Sequence, residues 1–517
     1  MRLAVWCFVF IWSLDFGVWC FAAAPQNILL IIADDYGADS SSLYNSTNNG
    51  ASLPPTPNIV SLAQSGILFR NAYANPVCSP TRACLLTGRY AYRTGVGDVV
   101  LTGNGTLQAS EFTLPEAFAA NPTLGYHLAQ FGKWHLANGV NTPSTLGGWT
   151  NFAGSLMGAI SSYTNWTKTV NGSSSTTTNY ATTDIVNDAT AWIQARGTNP
   201  WLAWVAFNAP HTPFHLPPTN LCPHYATLSG TTQDINANPR KYFEAMTEAM
   251  DTEIGRLLAA VNRANTHIIF LGDNGTQGNV LQPPYPSTHD KDTLYEGGTH
   301  VPFIIAGPSV VNPNRTNDSL VHVVDVYSTI LEMAGANIAT RVPTNVTIDG
   351  QSLLPILQGG SNSRRYVFTE VFGLDRPPGS SGKALRNSQF KLIQFDNRQE
   401  FYDLAVDPYE KTNLLSSALT ATAQSNYFSL TLRLGGYQQT IAQPVINGKS
   451  RSGNQFTLTV PSAVNLNYSL WRAAELSDLS WAPVINAIVA TNNSVVSLTD
   501  TNASGGAEFY QVVGTVP

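Results

Sequence analysis

Two pairs of oxygen-bearing residues, Asp34-Asp35 and Asp273-Asn274, stand at the ends of apolar runs. Three carboxylates and an amide make an all-oxygen ligand set, which selects Ca2+ or Mg2+ over softer metals; the flexible geometry of calcium tolerates such a mixture better. Taken singly, an Asp pair after a strand is more often a turn or a helix cap. Convergence of both pairs on one rim is what would make a cation site. Asn274-Gly275-Thr276 also reads as a glycosylation sequon, but a buried ligand cannot carry a glycan. A thiol joins these candidates in Cys78-Ser79-Pro80-Thr81-Arg82-Ala83-Cys84-Leu85-Leu86-Thr87-Gly88-Arg89. Most free cysteines are buried core thiols, which suits Cys84. The planar fork of Arg82 suits oxygen anions.

That stretch reads C-x-P-x-R-A-x-L-L-T-G-R and closely resembles the signature of the type I sulfatases of the alkaline phosphatase superfamily. With roughly nine specified positions at about one chance in twenty each, a random match is negligible. The resemblance implies that Cys78 is oxidised to formylglycine by a formylglycine-generating or anaerobic maturation enzyme. It also implies one Ca2+ held by Asp34, Asp35, Asp273, Asn274 and residue 78, which acidifies a hydroxyl of the aldehyde hydrate and holds the sulfate oxygens. A serine could accept sulfate but would have no such route to release it. Arg82 would hold the hydrate and balance the carboxylates. Gly132-Lys133-Trp134-His135-Leu136 matches the family's G-K-W-H-L, which puts Lys133 on the sulfate and His135 against the formylglycine hydroxyl. His211, in Pro210-His211-Thr212-Pro213, and Lys291, before Tyr295-Glu296-Gly297-Gly298, would contact the sulfate and protonate the leaving oxygen, a role worth ~10²–10⁴ in rate. Asp273 takes the family role of ligand and base. The chain departs from the pattern at His300, where the family often has Arg, and at Thr276, where it often has Gly. His215, His289 and His300 read as ordinary surface histidines.

These groups need a scaffold that gathers them. The run Asn27–Ala33 is apolar without alternation, which suits a strand buried on both faces of a parallel sheet. Open α/β sheets gather ligands at the carboxyl ends of such strands. Trp201 to Phe207 runs in the same way into Asn208-Ala209-Pro210-His211, and His267 to Leu271 into Gly272-Asp273-Asn274. Thr56-Pro57 predicts a helix start, with Gly66 as its stop. Phe243, Met246, Met250, Ile254, Leu257 and Val261, three or four apart, predict a core-facing helix between the last two strands. The fold class is therefore α/β: a large mixed, mostly parallel sheet flanked by helices, alkaline phosphatase-like as the resemblance implies. Short alternating segments from Arg364 to Leu415 predict a small C-terminal antiparallel α+β subdomain. Strand-like runs beyond Gly436 predict an appended all-β module of sandwich type. The expected divisions are 1–24 (signal peptide), 25–362 (catalytic α/β domain), 363–435 (its C-terminal subdomain) and 436–517 (β-module). Gly139 to Thr183 and Pro217 to Pro239, polar and rich in turn residues, read as long loops roofing the pocket.

Met1-Arg2, the apolar run Leu3–Leu14 and Ala22-Ala23-Ala24 have the layout of a cleaved secretory signal peptide, and Asp15 leaves fewer than the ~18 uninterrupted apolar residues a spanning helix needs. The expected location is secreted or periplasmic, with no membrane attachment after cleavage. Lys plus Arg number 27 against 33 Asp plus Glu, a net charge of −6, and no basic run relieves it, so nucleic acid and anionic membrane are poor partners. The mature chain keeps Cys78, Cys84 and Cys222. An odd count in an exported protein flags one cysteine with a special fate, and the other two are expected free. The chain reads as a calcium-dependent sulfatase acting on sulfated carbohydrates or smaller sulfate esters. A phosphodiester or phosphonate monoester hydrolase of the same superfamily, and a carbohydrate-binding protein with an inactive sulfatase-like body, are its rivals.

Overall fold

The computed structural model describes residues 26–100, 106–137, 143–336, 342–373, 376–377, 379–396, 398–437, 448–461, 467–473, 482–489, 495–503 and 509–515. The expected signal segment lies outside the described residues. Among these residues no helix is long and apolar enough to cross a membrane.

Ten strands form the main sheet: β1 (Asn27–Ala33), β2 (Gly66–Tyr73), β3 (His127–Gly132), β4 (Asn151–Gly154), β5 (Trp166–Val170), β6 (Ser173–Thr177), β7 (Trp201–Ala206), β8 (Thr266–Gly272), β9 (Phe303–Ala306) and β10 (Arg315–His322). Their order is β10-β2-β9-β8-β1-β7-β3-β4-β5-β6. The central strands β8, β1, β7 and β3 run parallel, with Ala33 opposite Gly272 and Ala206 opposite both Ile32 and Gly132. Four carboxyl ends therefore stop at one level. In β1, Ile28, Leu30 and Ile32 enter the apolar core on one face of the sheet while Leu29, Ile31 and Ala33 enter the core on the other. A strand that alternates between two cores has to be apolar at every position. The helix Pro239–Ala259 buries Phe243, Met246, Met250, Ile254 and Leu257 between β7 and β8 in the chain, as its spacing predicts.

Two other helices flank β2 in the chain. Helix α1 (Pro57–Gln64) begins with proline in its first turn, as predicted, and stops one residue before Gly66, which opens β2. Helix α2 (Cys78–Thr87) follows β2, and all ten of its residues are buried.

The stretch expected to be a long roofing loop differs. Its described part forms β4, which pairs parallel with β3, and the antiparallel strands β5 and β6 that extend the sheet edge. Four of the five residues of β6 are exposed. An edge strand facing water carries the polar composition of a loop, which explains the difference. The second such stretch holds a short helix, Thr232–Ala237.

Strands β11 (Val367–Val371), β12 (Gly382–Arg386), β13 (Phe390–Phe395) and β14 (Gln399–Asp403) form an antiparallel sheet in sequence order, followed by the helix Ala421–Gly435. Buried Lys391 on β13 donates to Glu296 Oε1 at 3.0 Å and lies 2.9 Å from Glu410 Oε1, fastening the Lys291–Gly298 stretch to this sheet. Beyond it, β15 (Gly448–Ser452), β16 (Gln455–Pro461), β17 (Asn467–Ala473), β18 (Ala482–Val489), β19 (Val495–Asp500) and β20 (Phe509–Thr515) make two three-stranded antiparallel sheets, β15-β16-β19 and β18-β17-β20. Leu458, Val460, Leu470 and Leu498 form their apolar core.

One buried carboxyl group makes stability depend on pH. Glu370 on β11 lies opposite Lys383 on β12 and accepts a hydrogen bond from Tyr92 N at 2.8 Å. Burial pushes Glu370 up to about 8 from an ordinary 4.5, against the pull of the Tyr92 N–H and Lys383. The folded chain thus keeps a proton that the unfolded chain loses near pH 4.5, so stability falls as pH rises from 4.5 towards 8, by at most about 1.4 kcal/mol per pH unit. Glu370→Gln keeps the acceptor and removes the ionisation. Its thermal unfolding should show a flatter decline across this window and a higher Tm than the wild type at pH 8; parallel curves for the two proteins would refute the assignment.

Candidate active site

The carboxyl ends of β1 and β8 deliver Asp34-Asp35 and Asp273-Asn274, β3 delivers Lys133 and His135, and the chain after β7 delivers His211. Cys78 is the first residue of α2, and Arg82, four positions on, stands one turn later on the same face. All ten predicted site residues meet here in one network.

The carboxylates are balanced one by one. Lys133 Nζ donates to Asp34 Oδ2 at 2.6 Å, and both side chains are fully buried. Lys291 Nζ lies 2.6 Å from Asp35 Oδ1 and 2.9 Å from Oδ2. Arg82 donates through Nη2 (2.7 Å) and Nε (3.1 Å) to Asp273 Oδ2, and through Nη1 to the Lys133 carbonyl at 2.9 Å. Its fork thus serves the carboxylate and the main chain of the Lys133 loop. Asn274 Nδ2 donates to Asp35 Oδ1 at 2.8 Å, and Asp35 N to Asp273 Oδ1 at 3.2 Å. Cys78 Sγ lies 3.0 Å from His135 Nδ1.

Two acceptors remain. Asp34 Oδ1 and Asn274 Oδ1 are buried and have no hydrogen-bond partner among the described residues. Leaving buried acceptors unmatched is costly, and a cation supplies what both lack. Donor atoms of Asp34, Cys78 and Asp273 lie within 4.8 Å of one another, as do those of Asp34, Asp35 and His211. The residues present therefore fit a hard divalent cation, with the sulfur of Cys78 as the one mismatched donor.

Electrostatics follow from this packing. Burial raises Asp273, the charge of Asp34 raises it further, and Arg82 offsets only part. For Asp35 burial is outweighed by Lys291, His211 and Lys133, which hold it well below the usual carboxylate range. Burial pushes the Cys78 thiol up although Lys133 and Lys291 pull against it. Burial, then Lys133 and Arg82, keep His135 neutral. Burial also lowers His211, with Asp35 and Asp34 opposing.

Backbone geometry aims the groups. Asp35 and His135 adopt left-handed conformations (φ 63° and 57°), which cost energy in non-glycine residues and cluster at functional sites. Gly132 has φ 87°, and a Cβ there would sit 1.8 Å from the Ala206 carbonyl oxygen. Only glycine lets the chain leave β3 so that Lys133 turns back toward Asp34. Beyond β4, Gly158 lies against the His135 ring, where a Cβ would stand 2.2 Å from Cε1. That contact is where the expected roof does reach the site.

Asp39, Ser40 and Thr276 also build the site, and the sequence did not single them out as such. Buried Asp39 accepts from Thr276 Oγ1 (2.6 Å), Ser40 Oγ (2.9 Å) and Gln282 N (2.9 Å), while Gly37 N donates to Thr276 Oγ1 at 3.1 Å. The loops that follow β1 and β8 are thereby tied together behind Asp34-Asp35 and Asp273-Asn274. The departure at Thr276 was the visible signal; its hydroxyl is the knot. Asn274, fully buried, has no room for a glycan. His215, His289 and His300 stack on Tyr163, Tyr295 and Tyr73, so they pack rather than lie open on the surface. Cys84 and Cys222 are buried and free, as expected.

Residues 26–336 match the family model described as Sulfatase, and residues 287–433 match N-sulphoglucosamine sulphohydrolase, C-terminal. The chain is 29% identical over 483 residues to a sulfatase of Formosa agariphila, covering 76% of this chain and 85% of that one. It is 26% identical over 507 residues to an N-acetylglucosamine-6-O-sulfatase of Bacteroides thetaiotaomicron, covering 78% and 85%. A solved structure in complex with its substrate D-glucosamine-2-N,6-O-disulfate superposes with a TM-score of 0.65 at 22% identity, over 80% of this chain and 98% of that one. With the first family model spanning more than half of its length, the chain belongs to the sulfatase family and is a sulfuric ester hydrolase.

Proposed function

We propose that this enzyme releases sulfate from sulfated glycans with a formylglycine made from Cys78 and one Ca2+ at the carboxylate cluster. The observation that carries this reading is the misfit of residue 78. A thiol 1% exposed, pushed up by burial and facing hard-cation ligands, is neither a ready nucleophile nor a good ligand. Its Sγ stands in for the oxygen that a formylglycine hydrate would place there. Such a hydrate supplies an oxygen nucleophile and, through its second hydroxyl, a way to expel sulfate. When bound, Ca2+ would be held by Asp34, Asp35, Asp273, Asn274 and the oxygen at 78, and would polarise the sulfate and acidify the attacking hydroxyl.

The chain's own residues do the rest. Lys133 beside Asp34 and Lys291 beside Asp35 offset the charge of an incoming sulfate. Neutral His135, 3.0 Å from residue 78, can accept the proton given up as the hydrate collapses. His211 donates through Nδ1 to the Thr212 carbonyl at 2.8 Å, which turns Nε2 toward Asp35 at 3.8 Å. As the imidazolium, which Asp35 and Asp34 favour against burial, it would carry a second proton on Nε2, placed for the leaving sugar oxygen. The glycan class is supported by the similarity to a protein named for N-acetylglucosamine-6-O-sulfate and by the fold shared with one bound to a glucosamine disulfate. Export by the N-terminal segment to a secreted or periplasmic location, the expected division at residues 362 and 435, and oxidation by a dedicated maturation enzyme belong to the same reading.

Ion chromatography of sulfate released from a panel of sulfated glycans, alongside an aryl sulfate and an aryl phosphodiester, tests it. Release from glycans is expected, and cleavage of the phosphodiester alone would defeat it. His211→Ala should lose ~10²–10⁴ in kcat on a sugar sulfate, whose alkoxide leaves badly, and much less on 4-nitrophenyl sulfate.

A further inference from the structure

We propose a second glycan subsite, for a chain segment bearing an anionic group, across the ridge Gln277–Asn279 from the active site; it rests on the glycan-sulfatase reading. A cavity of about 580 Å³ contains His211 and Lys291 and continues past Gln277, Asp98, Asp290, Asp292 and Arg376. Both of its cations are engaged: Lys291 by Asp35, and Arg376 by Asp98 (3.2 Å) and Asp292 (2.7 Å). Carboxylates outnumber cations beyond the scissile position. The cavity suits the hydroxyls of a neutral sugar and repels a second sulfate close to the first.

A second cavity, of about 650 Å³, has the opposite balance. Arg240, Lys241, Glu244, His224, Tyr225 and Asn279 line it. Glu244 accepts from Tyr225 Oη at 3.0 Å, and His224 is engaged with Glu248. Arg240 reaches the Leu281 carbonyl through Nη2. Lys241 is exposed; its backbone N donates to the Asn238 carbonyl at 3.0 Å, while its ammonium has no hydrogen-bond or ion-pair partner among the described residues. An unengaged ammonium beside a guanidinium and a tyrosine ring is a fitting reception for a sulfated or carboxylated sugar.

The two cavities share a wall. Gln277 lines the first and Asn279 the second, and three residues span at most about 11 Å. Between them lies Gly278, which puts no side chain in the way; a Cβ there would point at Asp290, within 2.3 Å of its Oδ2. A glycan seated at His211 and Lys291 can cross Gly278 and present its next anionic group to Lys241. The preferred substrate is then a chain whose anionic groups are separated by neutral sugar, rather than a sulfated monosaccharide.

The test uses the matured full-length enzyme and matched pairs of sulfated oligosaccharide and monosaccharide from carrageenan, heparan sulfate, chondroitin sulfate and fucan. The wild type should favour at least one oligosaccharide in kcat/KM. Lys241→Glu should lower that oligosaccharide-to-monosaccharide ratio about tenfold, equivalent to about 1.4 kcal/mol, mostly through KM, and Lys241→Arg should restore it. Thermal unfolding of each variant checks that the fold is kept. A wild type that favours no oligosaccharide, or a ratio unmoved in Lys241→Glu, overturns the second subsite while leaving the sulfatase reading standing. A wild type inactive on every sulfate ester removes both.

Discussion

Cys78→Ser should lose steady-state hydrolysis of an aryl sulfate by on the order of 10⁵- to 10⁶-fold, the scale seen when an enzyme's nucleophile is removed. The substitution is nearly isosteric and leaves an oxygen at 78, so the ion pairs of Lys133, Arg82 and Lys291 stay in place. What it removes is the second hydroxyl of a hydrate. A serine that accepts sulfate cannot expel it, so at most one sulfate per enzyme molecule should be consumed, followed by arrest. Cys78→Ala should show the same loss with no initial consumption at all. Mass spectrometry of the peptide spanning Cys78, from active wild-type protein, should find an aldehyde that reacts with a hydrazide probe. Active protein with an intact thiol at 78 would end the formylglycine reading.

Stripping divalent cations with a chelator should abolish turnover, and Ca2+ should restore it better than Mg2+. In the wild type, Ca2+ at a hundred times its Kd should add about 2.7 kcal/mol to unfolding stability. Asp34→Asn should lose most of this increment, because it removes the negative charge of a carboxylate whose Oδ1 is one of the two buried acceptors that the cation would satisfy. The variant should also be less stable without cation. Its neutral amide leaves the fully buried Lys133 ammonium without a counterion, a break that costs about 3–5 kcal/mol. Chemical denaturation with and without Ca2+ separates the two effects. An unchanged calcium increment in Asp34→Asn would move the cation elsewhere.

The central sheet was legible because its strands are buried on both faces. Such strands must be apolar throughout, and their ends are then marked by the first polar residues, Asp34 after Ala33 and Asp273 after Gly272. Polar edge strands carry no such mark. β6 reads Ser-Ser-Ser-Thr-Thr and β15 Gly-Lys-Ser-Arg-Ser, and only pairing with β5 and β16 makes them strands. β18 contains Pro483, and a proline within a run argues against a strand. In the site, residue type announced Arg82 as an anion partner. Which anion it meets was set by the fold, which turns its fork to Asp273 and the Lys133 carbonyl. Asp39 had no signal, since its partners Thr276 and Gln282 come from a loop remote in sequence.

Cys78 is 1% exposed at the head of a helix with no exposed residue. No enzyme can grip a residue so placed in the finished molecule. The oxidation proposed here therefore belongs to the nascent or unfolded chain, before β3 and β8 bring His135 and Asp273 over it. On that reading, maturation would have to precede folding. A molecule that folded first would be sealed with its thiol, and adding the modifying enzyme afterwards would not rescue it. The fraction of active enzyme would be a record of timing during synthesis rather than of conditions afterwards.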